Sequence, residues 1–236
     1  MGPWGPSARR LAKELSKRLT ERSGDRKVVR LACYTAKLYG CLANQDGWKT
    51  AGSRLSATRM TLRLFDDIPM TRHTLNYGFG QHESSKAAAF LGFIANAVDQ
   101  VFLPVEKVLW LHEVGVLKFK DKTADRLDLL STALWAGSLY ISLLQTLGSI
   151  RHHLWSRKCL KKSEDGAVAR KNLDIRLILE TISVFKLILD ITHAVSCLPR
   201  GCLWGERIGA TKIAAIATTS SVIGISMYFA KKRLFR

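Results

Sequence analysis

Hydrophobic positions recur at helical spacing through most of the chain. Val28, Leu31, Leu38 and Leu42, with Thr35 between them, step by three, four and seven. With Asp25 as a cap they predict a helix over 25–42 that stops near Gly47. A second helix is expected over 51–67, because Pro69 disfavours helical geometry at Ile68. The YGFG stretch at 77–80 reads as a turn, and 84–116 as a long helical region that Pro104 should break or kink. Further on, 129–150 (LLSTALWAGSLYISLLQTLGSI) is a run of 22 residues without a charge. At about 1.5 Å per residue it reaches roughly 33 Å, enough for a hydrocarbon core of about 30 Å. Arg126 and Arg151 bracket it, although Trp135 and Tyr140 lie inside it instead of at its ends. A second run, 213–230, holds 18 uncharged residues between Lys212 and the closing KKRLFR. The segment 173–198 is also apolar, but Arg176, Glu180, Lys186 and Asp190 make it costly at mid-bilayer, so it reads as a packed or interfacial helix.

The expected fold is therefore all-α: a helical membrane protein with amphipathic N-terminal helices and two transmembrane helices. Its parts are a poorly ordered basic leader (1–24), a helical region (25–126), a first span (127–150), an inter-span helical segment (151–207), a second span (208–230) and a basic tail (231–236). The leader carries Leu11, Leu15 and Leu19 on one stripe. Glu14 and Glu21 argue against a mitochondrial address there, and Pro6 against myristoylation.

Charge sharpens this picture. The chain has 37 Lys+Arg against 19 Asp+Glu, a formal +18, which favours anionic partners. Residues 1–126 carry 21 basic and 12 acidic groups and residues 151–207 carry 11 and 6. Basic charge interrupted by long apolar runs points to acidic membrane lipids and away from nucleic acid. Orientation does not follow from charge: four Lys/Arg lie within 15 residues before the first span and five after it.

Catalytic chemistry finds little support. Asp66 and Asp67 are adjacent, but neighbouring side chains on a helix point about 100° apart, so a solvated helix end is the expectation. The six histidines form no HExxH, and His152-His153 reads as an interfacial pair. Gly78 and Gly80 make a bare GxG without strand-turn-helix context, and no GxSxG or Walker pattern exists. Five scattered cysteines lack a CxxC pair, which fits a reducing compartment. No enzyme, metal site or cofactor is expected.

Five stretches resemble the peroxisomal membrane protein 11 family, gamma branch: LRLFDDIPM (62–70) with YGFG soon after, ANAVDQVFLPVEKVLWL (95–111), STALWAGSLYISL (131–143), CLPRGCLWGERIG (197–209) and SSVIGISMY (220–228). The resemblance implies a multi-pass peroxisomal membrane protein with both termini cytosolic, promoting membrane elongation and fission during peroxisome proliferation. It also implies association with itself and sister family members, and with a fission-machinery adaptor and a dynamin-like GTPase. The family's amphipathic segment corresponds to 51–67, making Arg54, Leu55, Arg59, Leu62, Arg63 and Phe65 the expected membrane-binding residues, with Arg59 and Arg63 meeting phosphates. Ala210, Ala214, Ala217, Ser221 and Gly224 step by four and three along the last span and are expected to form its helix-association face. The alternative function is an oligomeric pore for small metabolites, for which Thr218–Ser221 is the candidate polar stripe.

Overall fold

The computed structural model describes residues 23–81, 83, 85–160 and 164–234, and every regular element among them is an α-helix. The order is α1 (Ser23–Leu42), α2 (Asp46–Arg63), α3 (Asp67–Tyr77), α4 (Lys86–Glu113), α5 (Asp121–Cys159), α6 (Glu164–Ser196) and α7 (Ala210–Leu234). The leucine stripe of the leader lies outside the described residues.

Several boundaries differ from the sequence expectation for local reasons. The chain leaves α1 at Leu42 and turns at Asn44, which takes a φ of 48°, a left-handed conformation that Asn tolerates. Gly47 is consequently not a stop and lies in the first turn of α2. α2 starts at Asp46 and ends at Arg63, before the expected Asp67. Pro69 then sits in the first turn of α3, where its missing N–H breaks no helical bond. The YGFG turn forms where expected, with Gly78 and Gly80 at φ of 55° and 73°. Pro104 does not break α4, which runs unbroken from Ser85, whose hydroxyl caps it by accepting from Ala88 N, to Glu113. The proline lies on the exposed side of a helix that is held against α3 and α5.

Three helices, α4, α5 and α7, are long and apolar enough to cross a membrane. The expected spans are α5 and α7. The addition is α4, whose apolar run is interrupted by Asp99, Glu106 and Lys107. Two of these charges are answered by protein: Glu106 is buried against Arg63 of α2, and Lys107 pairs with Asp67 of α3 at 2.5 Å. A charge paired inside the protein does not have to be desolvated against lipid.

Contacts fix how the long helices run. Arg157 meets Asp174, Ser149 meets Glu180 and Trp135 meets His193, so α6 lies antiparallel beside the whole apolar run of α5. Ser183 meets Met227, Lys186 lies against Gly224 and Asp190 meets Ser220, so α7 returns antiparallel along α6. α1 follows α7 in turn, its Gly24 and Lys27 at Tyr228 and its Arg30 at Ser220. Of the charges on α6 that argue against a membrane position, Glu180, Lys186 and Asp190 face these neighbours and Arg176 stays exposed, as do Ile178, Ile182, Phe185 and Ile188. α1 shows the same inversion: Val28, Tyr39 and Leu42 face out, and Arg26 and Arg30 face in. An apolar exterior around a polar interior is what lipid demands.

The α1–α2 hairpin closes tightly because Gly52 lets the helices approach. Cys33 Sγ donates to the Gly52 carbonyl at 3.3 Å, and a methyl group on Gly52 would stand 2.5 Å from Lys37 Cγ. Gly52→Val should therefore push the two helices apart and cost about 1–3 kcal/mol. Thermal melting of the purified chain in mild detergent checks this, and an unchanged midpoint would show that the hairpin does not need the close approach.

Candidate functional site

The polar interior is built around Asp190. Its side chain is 2% exposed, and one carboxylate oxygen receives both the Arg30 guanidinium of α1 and the Ser220 hydroxyl of α7. The other oxygen receives Lys186, one turn earlier on α6, at 2.5 Å. Three helices are thus joined at one anion, and each cation satisfied there would be expensive to bury alone. One turn along, the buried His193 stacks edge-on with Tyr34 of α1 (5.1 Å between ring centres) and Trp135 of α5 (5.4 Å). This brings a fourth helix into the same cluster.

Towards the start of α1 the interior opens into a basic cleft of about 200 Å3. Arg26, Lys27, Arg30, Arg59 and Arg63 line it, together with Leu62 and Asp66. Arg26 pairs with Asp66, Arg63 with Glu106, and Arg59 lies 5.1 Å over the Tyr34 ring. The neighbouring Asp67 turns the other way and takes Lys107. The Asp66-Asp67 pair is therefore no solvated helix end: the divergence of adjacent side chains lets each carboxylate tie the α2–α3 turn to a different helix, Asp66 to α1 and Asp67 to α4.

Residues 12–229 match the family profile described as Peroxisomal biogenesis factor 11 (PEX11). The chain belongs to the PEX11 family. It is 30% identical over 230 residues to the human protein named Peroxisomal membrane protein 11C, covering 92% of this chain and 93% of that one. It is also 31% identical over 168 residues to the mouse protein of the same name, covering 70% and 68%. No solved structure matches it. This agrees with the resemblance carried by the five motifs.

Within this PEX11 chain the six residues expected to bind membrane divide in two. Arg54, Leu62 and Phe65 face outward, and Leu55 is half-buried. Arg59 and Arg63 turn inward, to Tyr34 and Glu106, and do not present their charge on the outer surface. The reason is that α2 packs on α1 and its apolar positions do not form one clean face. The small-residue face of α7 is likewise used within the chain. Ala214, Ala217 and Ser221 are buried and Gly224 makes room for Lys186, while Ala210 remains exposed. Where the sequence suggested a meeting with another copy, the small side chains let α7 come close to its own neighbours. The hydroxyls of Thr218, Thr219 and Ser221 donate to carbonyls one turn back, and Ser220 serves Asp190.

The three-helix junction at Asp190 was missed from sequence, although a signal existed. Lys186, Asp190 and His193 are spaced by four and three, which places them on one face of α6. Ile178, Ile182 and Phe185 share the same spacing on the other. Among the described residues no His/Cys/Asp/Glu cluster is suited to a metal, and all five cysteines are free.

Proposed function

We propose that this PEX11 family protein resides in the peroxisomal membrane and promotes its elongation ahead of fission, acting as an asymmetric bundle inserted in the bilayer. The observation that carries this reading is an exposed apolar cluster at one end of the molecule. Leu75 and Phe79, at the close of α3, and Phe90 and Phe93, early in α4, are all exposed, and the Phe79 and Phe93 rings stack at 5.9 Å. Apolar mass added to one leaflet widens that leaflet and favours curvature, the same physics by which an amphipathic helix bends a membrane. Arg54 and Leu62 on the outer side of α2, and Phe65 in the turn after it, add to the lipid contact. Association with further copies, sister proteins, an adaptor and a dynamin-like GTPase belongs to the same reading. Expression of a tagged copy in cells should give elongated or clustered peroxisomes carrying the tag; a tag elsewhere, or on peroxisomes of unaltered shape, would count against it.

The bundle geometry supports four crossings, α4 to α7, with the segments before α4 and after α7 both cytosolic. α6 runs the length of its neighbours and turns Glu180, Lys186 and Asp190 inward, which supports its crossing with them instead of lying on the matrix face. The exposed cysteines supply a test without new residues, since Cys159 ends α5 while Cys197 and Cys202 follow the far end of α6. In intact organelles a membrane-impermeant maleimide should label Cys159 and spare Cys197 and Cys202. Equal protection of all three would restore a matrix segment between two spans.

A further inference from the structure

The connection between α6 and α7 is folded, not slack. After Ser196 the chain turns through 197–209 under its own hydrogen bonds: Cys202 N donates to Pro199 O at 3.2 Å, Gly205 N to Cys202 O at 2.8 Å and Glu206 N to Ser196 O at 3.3 Å. Gly205 is buried in this knot, where a methyl group would stand 2.4 Å from the Leu198 carbonyl oxygen and 2.5 Å from that of Pro199. The tight path puts two residues with side chains into left-handed backbone, Leu203 at a φ of 52° and Glu206 at 50°. A branched apolar residue is disfavoured there. Yet Leu203 is 69% exposed, so packing within the chain does little to offset the strain. Strain held in place without an internal reward points to a use outside the chain.

The loop also lies at a definite depth. Asp190 of α6 meets Ser220 of α7 and the two helices are antiparallel, so Cys197 comes level with Ile213, where the uncharged run of α7 begins. The loop therefore starts at the edge of the apolar layer. From there it folds back: the Trp204 indole Nε1–H donates to the Thr192 carbonyl at 3.2 Å, one turn before the end of α6 and about 6 Å inside it at roughly 1.5 Å per residue. Leu203, next to this anchored Trp204, is held against the flank of the bundle. Arg200, Arg207 and Lys212 are exposed around it. Aromatic and basic residues at the end of a span mark the headgroup level.

The geometry points to the 197–209 loop as a lipid-binding element, in which Leu203 enters the acyl boundary of the bilayer while Arg200, Arg207 and Lys212 meet the phosphates of acidic diester lipids. Hydrocarbon around Leu203 supplies the apolar contact that the chain does not, and offsets its left-handed backbone. The three cations suit a negatively charged headgroup layer, as the formal +18 of the whole chain does. A soluble protein partner fits less well, because a loop folded down on the flank of α6 keeps its apolar residue at the level of lipid and does not raise it into water. α5 starts at this end of the bundle, whereas Phe90 and Phe93 lie at the far end of α4, so Leu203 enters the other leaflet as a single anchoring side chain. The inference rests on the reading of α6 and α7 as crossings, and not on the membrane-shaping reading.

The test is nitroxide accessibility of the full-length chain in nanodiscs. Cys41, Cys159, Cys197 and Cys202 are replaced by serine and the buried Cys33 is kept. Labels are introduced one at a time by Leu203→Cys, by Ile182→Cys on the exposed face of α6 and by Lys158→Cys beyond the apolar run of α5. Each is read by collision with oxygen, which concentrates in lipid, and with a nickel chelate, which stays in water. The oxygen-to-nickel ratio at position 203 should exceed that at position 158 at least about threefold, and should rise when phosphatidylglycerol replaces part of the phosphatidylcholine. A water-like ratio at 203 beside a lipid-like one at 182 would overturn the loop's role and leave the crossings standing. Water-like ratios at both would overturn the loop and the crossing of α6 together. A ratio at 203 that ignores lipid charge would overturn the part given to the cations. If the labelled Leu203 variant does not reconstitute, Leu203→Asp and Leu203→Gly are compared by melting midpoint in the same discs. Both residues accept positive φ, so a lower midpoint for the aspartate change alone supports lipid contact, and equal midpoints overturn it.

Discussion

Asp190→Ala should destabilise the bundle by about 3–5 kcal/mol, the cost of leaving buried charges without their partner. Arg30 and Lys186 both end on this carboxylate, and Ser220 of α7 donates to it, so one substitution unties α1, α6 and α7 together. Denaturation of the purified chain in mild detergent should show the loss as a lower midpoint. Replacing all three charges at once, with Arg30→Met, Lys186→Met and Asp190→Leu, should recover most of it, because well-packed apolar groups need no compensation. If the single change proves harmless, the cluster does not hold the helices together. If the triple change is as harmful as the single one, the cluster contributes something beyond mutual neutralisation.

The second large effect concerns shape. Phe79→Asp, Phe90→Asp and Phe93→Asp together should abolish peroxisome elongation while leaving the protein folded and in the membrane. All three rings are exposed, Phe79 by 79%, and the interior contacts at Asp190 and His193 do not involve them. Microscopy of cells expressing the triple variant, scored against the unaltered chain at equal abundance, checks this. Elongation at the normal level would move the shaping element away from the α3–α4 end.

Much of the fold was legible in the residues because it rests on local physics. The runs 129–150 and 213–230 lack charge, so α5 and α7 stand out on hydropathy alone, and the YGFG turn follows from glycines that can take positive φ. Pro69 was correctly taken as a boundary, but it marks the first turn of α3 and not the end of α2. What stayed hidden depends on pairing across the fold. Asp190, Glu106 and Lys107 look prohibitive in a bilayer until Arg30, Arg63 and Asp67 are seen beside them, and those partners lie 40 or more residues away. Arg59 and Arg63 illustrate the converse: their positions on α2 suit lipid phosphates, yet the packing of α2 on α1 turns them inward. The small residues of α7 were recognisable as a packing face, while the identity of the helix they meet was not, since spacing along one helix says nothing about which neighbour fills it.

The claim that the chain itself reshapes membrane is most directly tested by reconstitution. Purified protein is inserted into vesicles of phosphatidylcholine with an acidic diester lipid and examined by cryo-electron microscopy at rising protein density, with no other component present. The account predicts tubulated or elongated vesicles for the unaltered chain and spherical ones for the three-phenylalanine variant at equal insertion. Vesicles that stay spherical at every density, with the protein confirmed in the bilayer, would contradict it.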